Sequence, residues 1–288
     1  MRENPRLDKV PRACLFFPMN KLNFGCGDRF ARGWINIDFH SESPDVLRVN
    51  LLRRLPFDDS SFDVVYSSHV LEHFAPDTAE ALLRECHRIL KPNGILRTVL
   101  PDLETGCREY VRLLDVIETS EPARKRYEWI ILELLDQLTR TRPSGLIGPY
   151  REKLTAANDQ EMIAYVKSRT DTIPWSGAGK TLSSKLRSLT WNKLRTKLVY
   201  IYVAAVKRLL PPSLRATLID DTRIGEKHKW MYDRYGLSVL LRRCGFGDIV
   251  SLSASESRIE GFATDHLDSE ADGRPYKPGS IFSEARKV

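Results

Sequence analysis

The chain has 288 residues, of which 42% are hydrophobic and 29% charged, and a net charge of +7. This is the composition of a globular protein. The five cysteines, at positions 14, 26, 86, 107 and 244, include no Cys-x-x-Cys pair. They therefore argue against a disulfide framework or a thiolate zinc site, and for a reducing compartment, the cytoplasm. The first residues lead into no apolar signal core. The longest apolar run, 198–206, is far shorter than the ~20 residues that span a bilayer.

The first predicted elements lie in the stretch Lys21–Asp38, which reads as a strand, a glycine turn and a second strand. Gly25 and Gly27 permit a sharp turn and close ligand approach, because glycine has no Cβ. Asp38 falls at the carboxyl end of the second strand, where an open α/β sheet presents ligand-binding groups. A carboxylate there can accept hydrogen bonds from both hydroxyls of a ribose. The plain alternative is a tight turn between two ordinary strands.

The spacing within this stretch argues against a dinucleotide. A Gly-x-Gly-x-x-Gly fingerprint needs glycine where Phe30 stands, and its ribose acid lies about twenty residues on, whereas Asp38 follows Gly27 closely. A short turn suits a nucleoside cofactor with no pyrophosphate to bind at a helix N-terminus. S-adenosylmethionine is such a cofactor, and we expect it here.

Strands and helices then alternate, which predicts a mainly parallel α/β sheet. Strands are predicted at 44–51, 62–69 and 95–100, and a helix at Thr78–Leu90 that Lys91–Gly94 ends. The apolar positions of that helix recur at helical spacing: Ala79, Leu82, Leu83, Cys86 and Ile89.

A long helical region follows from about Glu104. It contains predicted helices at Glu121–Leu138 and Leu182–Leu210. The α/β pattern resumes at Tyr232 with a helix through Leu240, a strand at 248–252 and, from Ser280, an alternating segment typical of an edge strand. We therefore predict a core at 1–110, a helical insertion or lid at 111–224, and the rest of the core at 225–288.

The insertion is basic and partly apolar. Between Arg140 and Lys229 the net charge is +11, which suits phosphates, anionic lipids or nucleic acid, or is a solvated helical face. The apolar centre of Leu182–Leu210 fits either peripheral contact with a membrane or a lid over the cleft. The lid is favoured, because both faces of residues 198–206 are apolar.

An ordered set of motifs resembles the Rossmann-like (class I) S-adenosylmethionine-dependent methyltransferases, and within them a type 11-like subgroup often associated with saccharide and glycan modification. The resemblance implies a seven-stranded sheet whose last strand is antiparallel. It also implies methyl transfer to a sugar, glycan precursor or related small molecule. The matching segments are Leu22–Gly27, Gly33–Asp38, Leu55–Phe57, Phe62–Asp63, Ser67–His73, Leu90–Gly94, Pro101–Glu104, Gly225–Asp233 and Cys244–Phe246.

The resemblance also assigns cofactor contacts. It puts Gly25 and Gly27 against the methionine moiety, Asp38 on the ribose hydroxyls and 50–51 beside the adenine. Two departures are that many members have an acid where Asn50 stands, and that Arg29 lies near the place of a third glycine. The expected cofactor-binding residues are Asn23, Gly25, Cys26, Gly27, Asp38, Asn50, Leu51 and Ser67.

Methyl transfer needs donor and acceptor held in line, and a hydroxyl acceptor benefits from a base. His69, Glu72 and His73 follow the fourth strand, and His69, at its carboxyl end, is the first candidate base. His228 is the second, with Glu226 beside it to bind substrate. The plain alternative for His69 is a residue at the start of a helix whose ring is hydrogen-bonded to the backbone. The plain alternative for His73 is a structural role.

Two short patterns are interpreted as coincidental. His69–His73 matches the His-x-x-Glu-His zinc-hydrolase pattern, but that pattern needs both histidines on one helix, and His69 ends a strand. We therefore expect no metal. The segment Ser176–Thr181 ends like a phosphate-binding loop, but Pro174 replaces its first glycine.

Two alternative functions stay open. One is an S-adenosylmethionine-binding module without transfer activity. The other is a nucleic-acid methyltransferase, which is disfavoured because the sequence has no Asn/Asp-Pro-Pro-Tyr/Phe motif and no aromatic-interleaved basic ribbon. The sequence gives no indication of the oligomeric state.

Overall fold

The computed structural model describes residues 19–41, 43–170 and 225–288, together with positions 201, 202, 205, 206, 208, 209 and 211. Seven strands form one sheet in the order β3-β2-β1-β4-β5-β7-β6. The strands are β1 Lys21–Phe24, β2 Ile35–Asp38, β3 Val46–Arg48, β4 Phe62–Ser68, β5 Leu90–Pro101, β6 Phe246–Leu252 and β7 Ser280–Lys287.

The strand directions confirm the predicted fold class. Strands β1 to β5 pair in parallel, and β7 runs antiparallel to both β5 and β6. This is the Rossmann-like methyltransferase sheet. Because the carboxyl ends of parallel strands meet at one edge, the residues that follow β1, β2 and β4 lie together there.

The helices of the described residues are α1 Pro76–Ile89, α2 Leu103–Leu114, α3 Glu121–Thr139, α4 Ile147–Ala156, α5 Gln160–Arg169 and α6 Arg234–Arg243. Helix α1 buries the five apolar positions that the sequence pattern selects. It packs with α6 on one face of the sheet, in a core that includes Leu22, Leu83 and Leu237. On the other face, residues 254–267 cover Trp34 and Tyr66.

Helices α2 to α5 lie between β5 and β6 in the chain and have small cores of their own. Trp129 of α3 is completely buried against Leu154 of α4 and against Met162 and Val166 of α5. Ile130 packs in a second cluster with Leu113 of α2. Trp129 is the largest completely buried side chain of this helix, whereas Leu135 is half exposed.

The prediction that the segment from Ser280 is an edge strand is wrong. Strand β7 lies between β5 and β6, and its residues from Ile281 to Ala285 are all buried. The alternation was misleading because the polar Ser283 and Glu284 are buried as well. Glu284 is buried as an ion pair with Arg97 of β5.

The prediction that Lys91–Gly94 ends the helix is correct, but the prediction that the next strand begins only after this segment is wrong. Helix α1 ends at Ile89, but β5 begins at Leu90 rather than at Ile95. The pairing of β4 with β5 shifts register at this point, where Asn93 has a left-handed φ of 62°.

The segment Leu182–Leu210 and the loop Ser176–Thr181 lie almost entirely outside the described residues. Their lid, membrane and phosphate-loop interpretations therefore stay predictions. Positions 201, 202, 205, 206, 208 and 209 of the segment are helical. Within the part of the chain that the structure describes, no helix is long and apolar enough to cross a membrane.

Candidate active site

A cavity of about 920 Å³ opens at the carboxyl-terminal edge of the sheet. The loop after β1, the end of β2 and the end of β4 form much of its wall, as expected for an open α/β sheet. Residues 225–229 and the segment before β7 complete it.

The glycine loop is built to face this cavity. Gly25 and Gly27 have φ values of 63° and 53°, in the left-handed region that glycine adopts without strain. A Cβ at Gly25 would overlap the methyl groups of Val70, whereas a Cβ at Gly27 would meet no atom within 4 Å. Gly25 therefore permits close packing of the loop on the residues after β4, and Gly27 leaves space on the cavity side.

Asp38 is the last residue of β2 and lines the cavity, as predicted. Its Oδ2 accepts a hydrogen bond from Gly27 N at 2.9 Å, and its Oδ1 accepts one from His40 N at 2.8 Å. A carboxylate has about four acceptor positions, so it can still accept hydrogen bonds from two hydroxyls. The same side chain thus fixes the glycine loop and faces the cavity.

Asn23, Cys26 and Leu51 also line the cavity. Asn23 is buried, and its amide donates to Asn36 Oδ1 at 3.1 Å, which ties β1 to β2. Burial raises the pKa of the Cys26 thiol to about 12, and the nearby Asp38 and Asp28 add to the effect. Cys26 is therefore a neutral wall residue and no nucleophile.

Two of the expected cofactor-binding residues, Asn50 and Ser67, do not line the cavity. Asn50 is exposed, and its Oδ1 accepts a hydrogen bond from Leu52 N at 2.9 Å. It stabilises its own turn while Leu51 and Leu52 line the cavity. Ser67 is buried in β4, and its neighbours Tyr66 and Ser68 line the cavity instead. Successive strand residues face opposite sides of a sheet, so a one-residue offset exchanges them.

The candidate base His69 follows β4 with a φ of 55° and lines the cavity. Its Nε2 lies 2.9 Å from Ser280 Oγ, and its Nδ1 lies 3.4 Å from Glu72 Oε1. Burial lowers the pKa of His69 well below 6.5, and the positive charge of Lys277 adds to the effect. The imidazole is therefore neutral at pH 7, the form that accepts a proton.

The second candidate, His228, lies on a short strap, residues 225–230, that crosses the same end of the cavity. Its backbone N donates to Gln137 O at 2.8 Å, and the following Lys229 N donates to Glu72 O at 2.7 Å. Burial lowers the pKa of His228 to about 3. The strap thus places the neutral imidazole of His228, which can accept a proton, on the cavity wall.

The strap also brings His228 against the residues after β4. The His73 and His228 rings are 5.0 Å apart, and His73 Nε2 lies 4.0 Å from Glu72 Oε1. Burial raises the pKa of Glu72 to about 8. The available ligand atoms of Glu72, His73 and His228 all lie within 4.8 Å of one another. The fold therefore groups three possible metal ligands at a place where the sequence predicts no metal.

The cavity wall has two electrostatic regions. The negative charges of Asp28 and Asp38 help to raise the pKa of Cys26 in the glycine loop. The positive charge of Lys277 favours the deprotonated forms of four groups, His69, Glu72, His73 and His228. Lys227 and Lys229 of the strap line the same cavity. The acidic region therefore coincides with the glycine loop and the basic region with the histidines.

Several lining residues have no signal in the sequence. Gln137 comes from α3, and Tyr276 and Lys277 come from the loop before β7. Arg29 holds this loop in place: its guanidinium donates to His266 O at 2.6 Å and lies over the Tyr276 ring at 3.8 Å. The departure at the third glycine position thus has a structural role, because only a long side chain reaches that loop.

The comparisons with known proteins agree with this geometry. Residues 23–98 match the family described as "Methyltransferase domain". No curated protein is significantly similar to the chain. Several solved structures are similar to the chain at low identity. An S-adenosylmethionine-dependent methyltransferase from Methanosarcina mazei is 14% identical with a TM-score of 0.38, covering 100% of this chain and 99% of that one.

Two further structures are similar at the same level. A Thermotoga maritima protein, described as an S-adenosylmethionine-dependent methyltransferase and possible histamine N-methyltransferase, is 13% identical. Its TM-score is 0.35, with 98% of this chain and 88% of that one covered. An S-adenosylmethionine-dependent methyltransferase from Archaeoglobus fulgidus is 13% identical with a TM-score of 0.36, covering 93% and 86%.

The residues present fit the expected cofactor. The glycine loop leaves room on the cavity side of Gly27, and the Asp38 carboxylate lies where ribose hydroxyls would be held. The family match covers both features. Residues 23–98 therefore match the methyltransferase-domain family on a sheet of the class I, Rossmann-like methyltransferase topology, and the cofactor that these features indicate is S-adenosylmethionine.

Proposed function

We propose that this protein transfers the methyl group of S-adenosylmethionine to a hydroxyl of a sugar or glycan precursor that carries a phosphate. The observation that carries the proposal is one continuous cavity with the glycine loop and Asp38 in one region and neutral His69 in the other. In-line transfer requires that arrangement, with the acceptor between the donor and the base.

The role of each residue follows from its chemistry. Asp38 holds the ribose, and the left-handed glycine loop receives the methionine part of the donor. His69 accepts the hydroxyl proton as the methyl group moves from sulfur to oxygen. Its backbone N donates to Val99 O at 2.9 Å and its ring is bonded to Ser280, so the base is held in one orientation.

The phosphate is inferred from charge. Lys227, Lys229 and Lys277 line the cavity, and Lys277 acts on the histidine group. A neutral sugar needs no cations at this place, whereas a sugar phosphate or a phosphate-linked glycan precursor is attracted by them. The resemblance to glycan-modifying methyltransferases supports the same acceptor class.

The direct test is transfer of a labelled methyl group to a matched acceptor panel: a free sugar, the same sugar as its phosphate, and a single-stranded RNA. We expect O-methylation of the sugar phosphate in preference to the free sugar, with little RNA methylation. Methylation of the RNA, or equal use of both sugars, would contradict the proposed acceptor.

Two variants separate binding from catalysis. Asp38→Ala should weaken S-adenosylmethionine binding in calorimetry by about 10- to 100-fold, the value of a hydrogen bond to a charged group. His69→Asn keeps the left-handed backbone and should lower kcat by about 100-fold or more with donor binding retained. The controls are the exposed Asp45→Asn and His266→Asn, the latter at another left-handed histidine. Donor binding without turnover in wild type, unchanged in His69→Asn, would indicate a non-catalytic binding module.

A further inference from the structure

We propose that Glu72, His73 and His228 bind one divalent transition-metal ion of the zinc class at the histidine end of the cavity. Their ligand atoms lie within 4.8 Å of one another. Glu72 and His73 come from the short 3₁₀ turn after β4, and His228 comes from the strap about 155 residues later. The tertiary structure alone brings the three together.

The first argument is the unsatisfied carboxylate. Glu72 is completely buried, and neither of its side-chain oxygens has a hydrogen-bond partner among the described residues. A buried carboxylate without hydrogen bonds or a cation costs several kcal/mol. The contact with His69 Nδ1, at 3.4 Å, is too poor to satisfy it. A metal ion would give these two oxygens a direct partner.

The second argument is the orientation of His73. Its Nδ1 lies 3.0 Å from Lys227 O, and because a carbonyl can only accept, Nδ1 carries the hydrogen. The lone pair of the neutral ring is then on Nε2, the nitrogen that faces Glu72 Oε1 at 4.0 Å. Two acceptors face one another without a donor between them. Metal-ligating histidines commonly have this arrangement, with the second ring nitrogen bonded to a backbone carbonyl.

The donor set selects the metal. Two imidazoles and one carboxylate suit zinc and related first-row ions, and catalytic zinc sites use three protein ligands with a fourth position open. Ligand atoms around tetrahedral zinc are about 3.4 Å apart, so binding would draw these side chains together by roughly 1 Å. His73 and His228 both line the cavity. The open position would therefore face it.

The site differs from the zinc-hydrolase pattern in the sequence. That pattern uses both of its histidines as ligands and its glutamate as a base. Here His69 Nε2 is bonded to Ser280 and stays outside the group. The glutamate is a ligand, and His228 replaces His69. The open position takes an oxygen of the acceptor, an assignment that rests on the proposed function.

The test is a titration of the chelator-treated 288-residue chain with Zn²⁺ by calorimetry and with Co²⁺ by visible absorption. Wild type should bind one ion per chain and give a tetrahedral Co²⁺ spectrum. Glu72→Gln, His73→Asn and His228→Asn should each weaken binding at least ~10-fold. His266→Asn, at an exposed histidine, should bind as wild type does.

Thermal unfolding gives a second readout that needs no activity. Zn²⁺ should raise the Tm of wild type and of His266→Asn, because an ion that binds only the folded state stabilises that state. Glu72→Gln is isosteric and removes a buried charge, so it should fold without metal, and Zn²⁺ should leave its Tm unchanged. Equal Zn²⁺ affinity in wild type and Glu72→Gln would overturn the proposal.

Two further outcomes would also overturn the metal site. One is a Co²⁺ spectrum dominated by thiolate-to-metal charge transfer, which would place the ion on a cysteine such as the exposed Cys107. The other is no ion binding at all, which would mean that Glu72 is satisfied by a proton. An S-adenosylmethionine titration with and without Zn²⁺ separates the two proposals, because donor binding without Zn²⁺ binding refutes only the metal site.

Discussion

At the scale of single residues, the two glycines of the first loop have different tasks. Gly25 packs against Val70, a β-branched side chain with little rotamer freedom, whereas Gly27 faces open space. Both have a left-handed φ, which costs a residue with a Cβ about 1–2 kcal/mol. The backbone penalty is therefore shared, and the steric penalty belongs to Gly25 alone.

We expect Gly25→Ala to lower the free energy of unfolding by about 2–4 kcal/mol, the sum of backbone strain and overpacking, and Gly27→Ala by about 1–2 kcal/mol. Urea denaturation measures both. The double variant Gly25→Ala/Val70→Ala should be less destabilised than the sum of its single variants. Equal losses for the two glycines would show that the contact with Val70 is unimportant.

Cys26 gives a prediction about pH. Burial and two nearby carboxylates raise the pKa of its thiol to about 12, so at pH 8 only about one thiol in ten thousand is ionised. Iodoacetamide at pH 8 should leave Cys26 unmodified while the exposed Cys107 is alkylated, as peptide mass spectrometry would show. Labelling of Cys26 should rise only as the pH approaches 12. In urea it should react readily, and rapid labelling of folded protein at pH 8 would contradict its burial.

At the scale of elements, the connection from α3 to α4 depends on one buried carboxylate. Asp136 accepts hydrogen bonds from Leu146 N and from the largely buried Arg140. The turn between them approaches so closely that a Cβ at Gly145 would overlap the carboxylate. The residue after Asp136, Gln137, holds the strap because its backbone O accepts a hydrogen bond from His228 N. Helix packing and the cavity wall are therefore coupled here.

Asp136→Ala should destabilise the protein by about 3–5 kcal/mol, because it leaves the Arg140 charge buried without its partner. Hydrogen exchange should accelerate in peptides that cover 136–146 and in the strap at 225–230. Asp115→Ala, at an exposed aspartate at the end of α2, is the control and should change neither. If exchange in the strap stayed at the wild-type rate, α3 would not support the cavity wall.

At the scale of the whole molecule, a buried ion network joins the sheet to the segment that covers it. Arg97 of β5 is completely buried and pairs with Asp268 at 2.6 Å and with Glu284 of β7 at 2.8 Å. Asp268 also accepts a hydrogen bond from the cavity residue Tyr66. The network thus connects the antiparallel strand, the covering segment and the cavity wall.

Arg97→Leu should lower the free energy of unfolding by about 3–5 kcal/mol in urea denaturation, because the Asp268 carboxylate stays buried without its ion-pair partner, while Glu284 keeps Arg258. Arg54→Leu, at an exposed arginine, should stay within about 0.5 kcal/mol of wild type. Adding Asp268→Asn to Arg97→Leu should recover part of the loss, since one buried charge is removed. A loss with Arg97→Leu no greater than with Arg54→Leu would contradict a structural role for the network.

The sequence by itself determined most of the sheet, the glycine loop and the place of Asp38 at the end of β2. Glycine turns, period-two strands and the apolar positions of α1 are local patterns, and residues 22–38 contain the loop and Asp38 in one continuous stretch. The place of β7 was beyond this reasoning. Its polar residues look solvent-facing until Arg97, almost two hundred residues away, is seen beside Glu284.

The tertiary structure decided the histidine end of the cavity. From three distant parts of the chain come residues that line the same cavity as His69, namely His228, Gln137, Tyr276 and Lys277. The orphaned carboxylate of Glu72 and the fixed tautomer of His73 also appear only in three dimensions. The physical reason is that hydrophobic periodicity reports which side of an element is buried, whereas pairing of charges and lone pairs depends on contacts between residues far apart in sequence.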